Sequence, residues 1–297
     1  MNQVTTIDTS NFAGMAEAMG MAMDAPKNSS KSSTLARLRI HHTPIMGQQE
    51  INGKLKNVEV ISGGAYKLEN PDGPTYYAEG VSIRPFLQRF MYKKFIKGND
   101  STPNRYVKTV MANDLNSDMK DNNGGFNCGK PAGFIKDWAA LPDNMKDLIK
   151  SIKRVRALFG TVEMINPTDE NGNSVDVDTT PFIWEVDNRD AFKTMGEVFT
   201  KLSKMRRLPP QHYVSMTTTE VPLPNGSSFY VPNTTLDLEN TLDMDNDAQE
   251  VFANFVAWIE NYNTYILNTW SENMHKHEEV DTDTVEEFVD INAEDFV

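Results

Sequence analysis

Two hydrophobic periods alternate along this chain, and the switches between them mark its elements. Apolar and polar positions alternate over residues 58–61, 65–68 and 75–83, the spacing of half-buried strands, and Gly63-Gly64 and Asn70-Pro71-Asp72-Gly73 supply the turns of a meander. A helix is predicted from Pro142 or Asp143 to Ser151, with proline at its start and Asp143 in its first turn. Residues 155–165 and 182–186 then read as a hairpin with a long acidic tip. The period becomes helical at Phe192, Met195, Phe199, Leu202 and Met205, after a cap at Asp187 or Asn188, and Pro209-Pro210 stops it. A second hairpin, 213–221 with 228–236, turns on Pro224-Asn225-Gly226. A long amphipathic helix over 248–273 carries the stripe Val251, Phe255, Ile259, Tyr262, Ile266 and Trp270.

Strands and helices in this order give no βαβ alternation, so the expected class is α+β. The simplest architecture is a small, mainly antiparallel β-barrel of the OB type, with inserted helices, the long C-terminal helix and a disordered acidic tail. The division that follows is a flexible leader over 1–34, one domain over 35–274 and a tail over 275–297. The leader is rich in Met, Ala and Ser, has room for a short helix over 12–23, and reads as linker or as a partner-binding arm.

Charge changes the picture at two places. The chain of 297 residues has a formal net charge of -13, and nine of its carboxylates fall within 278–297, where there is no Lys or Arg; residues 1–277 therefore carry only -4. A stretch so charged and so poor in apolar residues buries too little surface to order itself. Residues 84–108 are the opposite, with seven cations (Arg84, Arg89, Lys93, Lys94, Lys97, Arg105, Lys108) against Asp100. Phe86, Phe90, Tyr92, Phe95 and Tyr106 are interleaved with them. The spacing of Phe86, Phe90 and Phe95 is near-helical and points to the core, whereas Tyr92 and Tyr106 suit a stacking role.

Little here points to catalysis. Walker A, Rossmann, Gly-x-Ser-x-Gly and His-Glu-x-x-His patterns are all missing. Cys128 is the single cysteine, so no multi-cysteine zinc site can form; beside Lys130 it could be a reactive thiol. His275 and His277 next to Glu278 and Glu279 are the nearest approach to a metal cluster, on a segment without a fixed scaffold. No metal or cofactor is expected. No apolar run of about 18 residues exists, so no membrane span is expected, and a soluble, cytoplasmic protein fits, in the host cytoplasm if viral.

Single-stranded nucleic acid is held by a cationic groove that tracks phosphates and by aromatic faces that stack bases. The stretch 84–108 has both, and Lys150, Lys153, Arg154 and Arg156 extend it. The tail, from Asp281 through Phe288, Asp290, Glu294, Asp295 and Phe296 to Val297, is similar in charge, placement and near-terminal Phe to that of the podovirus-type viral single-stranded DNA-binding proteins. Segments 154–162 and 228–236 and the aromatic helix also resemble phage proteins of this kind. The chain departs from the pattern in closing on Val297, and it lacks the zinc ligands of another phage subfamily.

The resemblance implies an OB-fold and a non-enzymatic protein that coats single-stranded DNA in replication or recombination. Its tail would compete with DNA and recruit a polymerase, helicase or primase, with self-association left open. The rival readings are a virion or assembly scaffold and an enzyme whose site is dispersed in sequence.

Overall fold

The computed structural model describes residues 35–289 apart from 52, 100–102, 132, 134, 224, 225 and 227, with side chains described as far as Met274. Its strands are β1 (Ala36–Ile40), β2 (Ile45–Ile51), β3 (Lys54–Ile61), β4 (Tyr66–Glu69), β5 (Thr75–Ala78), β6 (Gly80–Ile96), β7 (Arg105–Lys108), β8 (Ile152–Ile165), β9 (Thr180–Val186), β10 (Val214–Pro222) and β11 (Ser228–Leu236). Its α-helices are α1 (Asp143–Ser151), α2 (Arg189–Lys204) and α3 (Asn246–Val289). The leader 1–34 lies outside the described residues, as do the side chains of the acidic tail.

Nine strands form one sheet in the order β11-β10-β6-β8-β9-β1-β4-β5, with β7 beside the far end of β6, while β2 and β3 form a separate hairpin. Every pairing is antiparallel except that of β1 with β9. The spine is β6 on β8, paired from Gly80↔Ile165 to Lys94↔Ile152. The near-helical spacing of Phe86, Phe90 and Phe95 is overridden here, because the 17 residues of β6 form one continuous strand. Pro85, which lacks an N–H, is accommodated where the register with β8 slips between Pro85 and Leu87.

Period two along β8 gives the sheet two buried faces. Leu158 and Val162 point to one, with Ala191, Met195, Val198 and Leu202 of α2. Val155, Ala157 and Phe159 point to the other, with Phe255 and Ile259 of α3. Helix α2 begins where expected, with Asn188 Oδ1 accepting the N–H groups of Asp190 and Ala191. Helix α3 is fixed by Phe255, whose ring meets Phe86 at 5.7 Å and Phe159 at 5.8 Å. Burying a side chain of this size contributes about 1.5–3 kcal/mol. Farther along, Tyr262 donates to Thr109 O (2.9 Å), and Asn263 accepts from Met111 N and donates to Met111 O.

The expected small barrel is not formed. The sheet curls until its ends touch: Tyr66 of β4 donates to Thr217 O of β10 at 3.1 Å, and Thr218 donates to Gly64 O at 2.8 Å. Gly64 has φ +90°, and an added Cβ would lie 2.7 Å from Thr218 Oγ1, so this approach needs glycine. The closing contacts are side chain to backbone, with no ladder, so the sheet stays open. Helix α2 occupies the interior, which places residues of β4, β10 and α2 in one cluster. The mixed, mainly antiparallel class holds, and the three helices begin close to where the periodicity put them, but α3 continues past 273 to Val289, through residues 275–289 that were expected to be disordered. Among the described residues no helix is long and apolar enough to cross a membrane.

Candidate functional site

The two-faced sheet sorts the predicted basic–aromatic residues, because neighbours on a strand point to opposite sides. Lys93 pairs in register with Lys153 of β8 and Lys108 of β7, and Phe95 pairs with Tyr106. These five share the α3 face of the sheet, beyond the part α3 covers. Phe95 is 47% and Tyr106 53% exposed, yet their rings touch at 5.1 Å between centroids, tilted by 53°. Lys93 Nζ lies 5.7 Å from the Tyr106 ring centre. Lys97 and Arg105, both exposed, flank the pair along the chain.

The other predicted residues go elsewhere. Arg84 donates to Pro210 O and Asp243 O, both at 2.6 Å, and pins the start of α3 to the sheet. Arg89 is half-buried and donates to Gln88 O. Tyr92 is buried on the opposite face, its hydroxyl donating to Leu115 O, so it offers no stacking surface. Lys94 shares that face. Arg154 lines a cavity of about 400 Å³ there with Tyr92, Lys130 and Ile149. Lys150 pairs with Asp147 on α1.

Arg156 is only 8% exposed, its guanidinium 4.9 Å from the Phe90 ring centre and 4.5 Å from that of Phe192, and it donates to Gln88. A Cβ on Gly196 would come within 2.6 Å of its Nη2. Burial lowers this guanidinium to about 10, and no carboxylate pairs with it among the described residues. It is a structural cation in the core. The expected tail residues Phe288, Asp290, Glu294, Asp295 and Phe296 have no described side chains.

Next to the Phe95–Tyr106 pair the sheet splits. Strands β1 and β9 pair only through Ala36↔Phe182 and Arg37↔Ile183, and beyond that point they part. The cleft between them has a volume of about 600 Å³. Leu38, Ile40, Trp184 and Val186 supply its apolar lining; Arg37, Arg39, Lys93, Lys108, Glu185 and Asp187 supply its charges; His42, Tyr106 and Tyr230 add rings.

Glu185 is the electrostatic centre of this region. Its Oε1 accepts from Lys108 at 2.9 Å and its Oε2 from Lys93 at 3.0 Å, while Asp187 lies 3.4 Å from Lys93. Burial opposes the Glu185 charge, but Lys108 and Lys93 outweigh it and hold the carboxyl below its ordinary 4.5. Burial likewise opposes the Lys93 ammonium, and Glu185 more than compensates, raising it. His42 Nδ1 accepts the Tyr230 N–H at 3.1 Å, which leaves the proton of the neutral ring on Nε2; burial lowers its pKa and favours that neutral form.

Cys128 is not a reactive thiol. It is 6% exposed within the loop that follows β7, its Sγ donates to Val107 O, and burial with the nearby Asp121 pushes the thiol up to about 12. Asp121 organises that loop, accepting from the N–H groups of Asn123, Gly125 and Cys128.

Sequence reasoning misses Phe95 as a platform residue because its spacing groups it with Phe86 and Phe90. The available signal is period two, which puts Phe95 on the side of Lys93 and opposite to Phe90. No protein-family model, curated protein or solved structure matches this chain.

Proposed function

We propose that this chain is a non-enzymatic single-stranded DNA-binding protein of the phage type, which coats displaced strands in replication or recombination. The observation that carries the reading is the exposed Phe95–Tyr106 pair with Lys93, Lys108 and Lys153 on the same face. Bases stack on such rings whatever their sequence, and the exposed Lys153, Lys97 and Arg105 track the phosphates, while Lys93 and Lys108 are held by Glu185. The platform is open, as a groove for a continuous strand must be. The acidic tail over 278–297 competes with DNA for these cations and, once displaced, recruits a polymerase, helicase or primase. In this reading the continuous surface expected over 84–108 gives way to one face of three strands, β6, β7 and β8.

Fluorescence anisotropy with a labelled single-stranded oligonucleotide tests it. Stacking contributes about 1–3 kcal/mol per base, so Phe95→Ala and Tyr106→Ala should each weaken binding by roughly 5- to 150-fold. Duplex DNA of the same length should bind more weakly than the single strand. Unchanged affinity in both variants, or no salt-sensitive binding by the wild-type protein, overturns the reading.

A further inference from the structure

We propose that the cleft between β1 and β9 is a pocket for one nucleotide unit, its base directed inward and its phosphate toward Arg37. The unit is either a residue of a bound strand or a free nucleotide. The strand-borne form rests on the DNA-binding reading above; the free form does not.

The argument starts from the split in the sheet. After Arg37↔Ile183 the two strands separate, and the space between them, about 600 Å³, falls in the range of roughly 300–1,000 Å³ that small-molecule sites occupy. Leu38, Ile40 and Trp184 give it an apolar lining, while Tyr106 and Tyr230 add ring surface. A flat heterocycle fits such a lining.

The polar groups narrow the ligand further. Glu185 and Asp187 offer acceptors, and the Nε2–H of His42 offers a donor. A purely hydrocarbon ligand would leave the His42 Nε2–H without a partner, at a desolvation cost, while Glu185 and Asp187 keep their lysine partners and can accept further hydrogen bonds. A nucleobase, with N–H and C=O groups on one edge, answers both kinds.

The cations at the rim are not equivalent. Arg39 is tied to Glu69, and Lys93 and Lys108 are tied to Glu185. Arg37 is exposed and has no hydrogen-bond or ion-pair partner among the described residues, which leaves its guanidinium fork available to a phosphate. Tyr106 belongs both to the Phe95 platform and to the cleft lining, so a strand stacked on the platform delivers its next base to the cleft.

Photocrosslinking of the full chain to oligothymidylate carrying 5-iododeoxyuridine, read by mass spectrometry, tests the strand-borne form. Calorimetry with thymidine 5′-monophosphate tests the free form. Crosslinks at Tyr230 or His42, in addition to Phe95 or Tyr106, support the pocket. So does monophosphate binding that Arg37→Glu weakens about tenfold at unchanged melting temperature, as expected for loss of one charge-assisted contact.

The failures are distinguishable. Crosslinks confined to Phe95 and Tyr106, with no monophosphate binding, sink the pocket and leave strand binding standing. Monophosphate binding sensitive to Arg37→Glu, with no strand binding, sinks the DNA reading and leaves the pocket. Absence of both kinds of binding removes both.

Discussion

Glu185→Gln should move stability and DNA affinity in opposite directions. The carboxylate joins Lys108 at 2.9 Å and Lys93 at 3.0 Å, and the three side chains are 25%, 23% and 16% exposed. They lie between the surface pairs whose loss costs almost nothing and the buried pairs whose rupture costs several kcal/mol, so the variant should lose about 1–3 kcal/mol in urea melts. The same change frees ammonium groups for phosphates. Asp187 still holds Lys93, so Lys108 is freed first and Lys93 in part. Each added phosphate contact steepens the dependence of log affinity on log salt by about 0.7 for single strands, so the slope should grow by ~0.7–1.4 and low-salt affinity should rise. Anisotropy titrations across a salt series measure both. Lower stability with an unchanged slope would show that the two lysines do not meet phosphates.

The pH dependence follows from the same group. The folded Glu185 carboxyl is depressed below its ordinary 4.5, so its stabilising contribution is present above about that value and is lost as pH falls through the lower folded one. Glu185→Gln should therefore flatten the acid limb of the stability profile below about pH 4.5.

Three more outcomes separate structural from functional residues. Arg156→Ala should cost about 2–4 kcal/mol through the void left between Phe90 and Phe192, with strand affinity unchanged once folding is corrected for; a binding loss without destabilisation would return Arg156 to the interface. Cys128 should resist alkylation in the native protein at pH 8 and react on unfolding, and stoichiometric native labelling would contradict its burial. Deleting 278–297 should strengthen oligonucleotide binding most at low salt, and equal affinities with and without the tail would remove the competition.

Elements whose signal is local were legible. Asn188 caps α2 because its side chain reaches N–H groups two and three residues on, and the apolar stripe of α3 meets the sheet where its period puts it. The closed barrel was the wrong inference because closure is not local. Whether β4 pairs with β10 or meets it only through Tyr66 and Thr218 depends on segments some 150 residues apart, and on α2 filling the space between. The 17 residues of β6 were obscured for another reason: aromatics four and five apart satisfy a loose helical template, yet Pro85 within the run already argues against a helix interior.

The basic stretch raises a more general point about strands. A run of cations and aromatics in sequence becomes one surface on a loop, but a strand divides it in two. Lys93, Phe95, Tyr106 and Lys108 therefore separate from Tyr92, Lys94, Arg154 and Arg156, although Lys93 and Phe95 alternate with Tyr92 and Lys94 in sequence. The second set is partly consumed by the core, where Arg156 and Tyr92 are buried, so residue counts overstate the cationic surface. The cleft left a fainter mark in the sequence. Glu185 interrupts Phe182-Ile183-Trp184 and Val186, and a carboxylate in so apolar a strand requires cations from another element. That requirement by itself implies a paired charge cluster; the partners, Lys93 and Lys108, lie 92 and 77 positions away and only the fold identifies them.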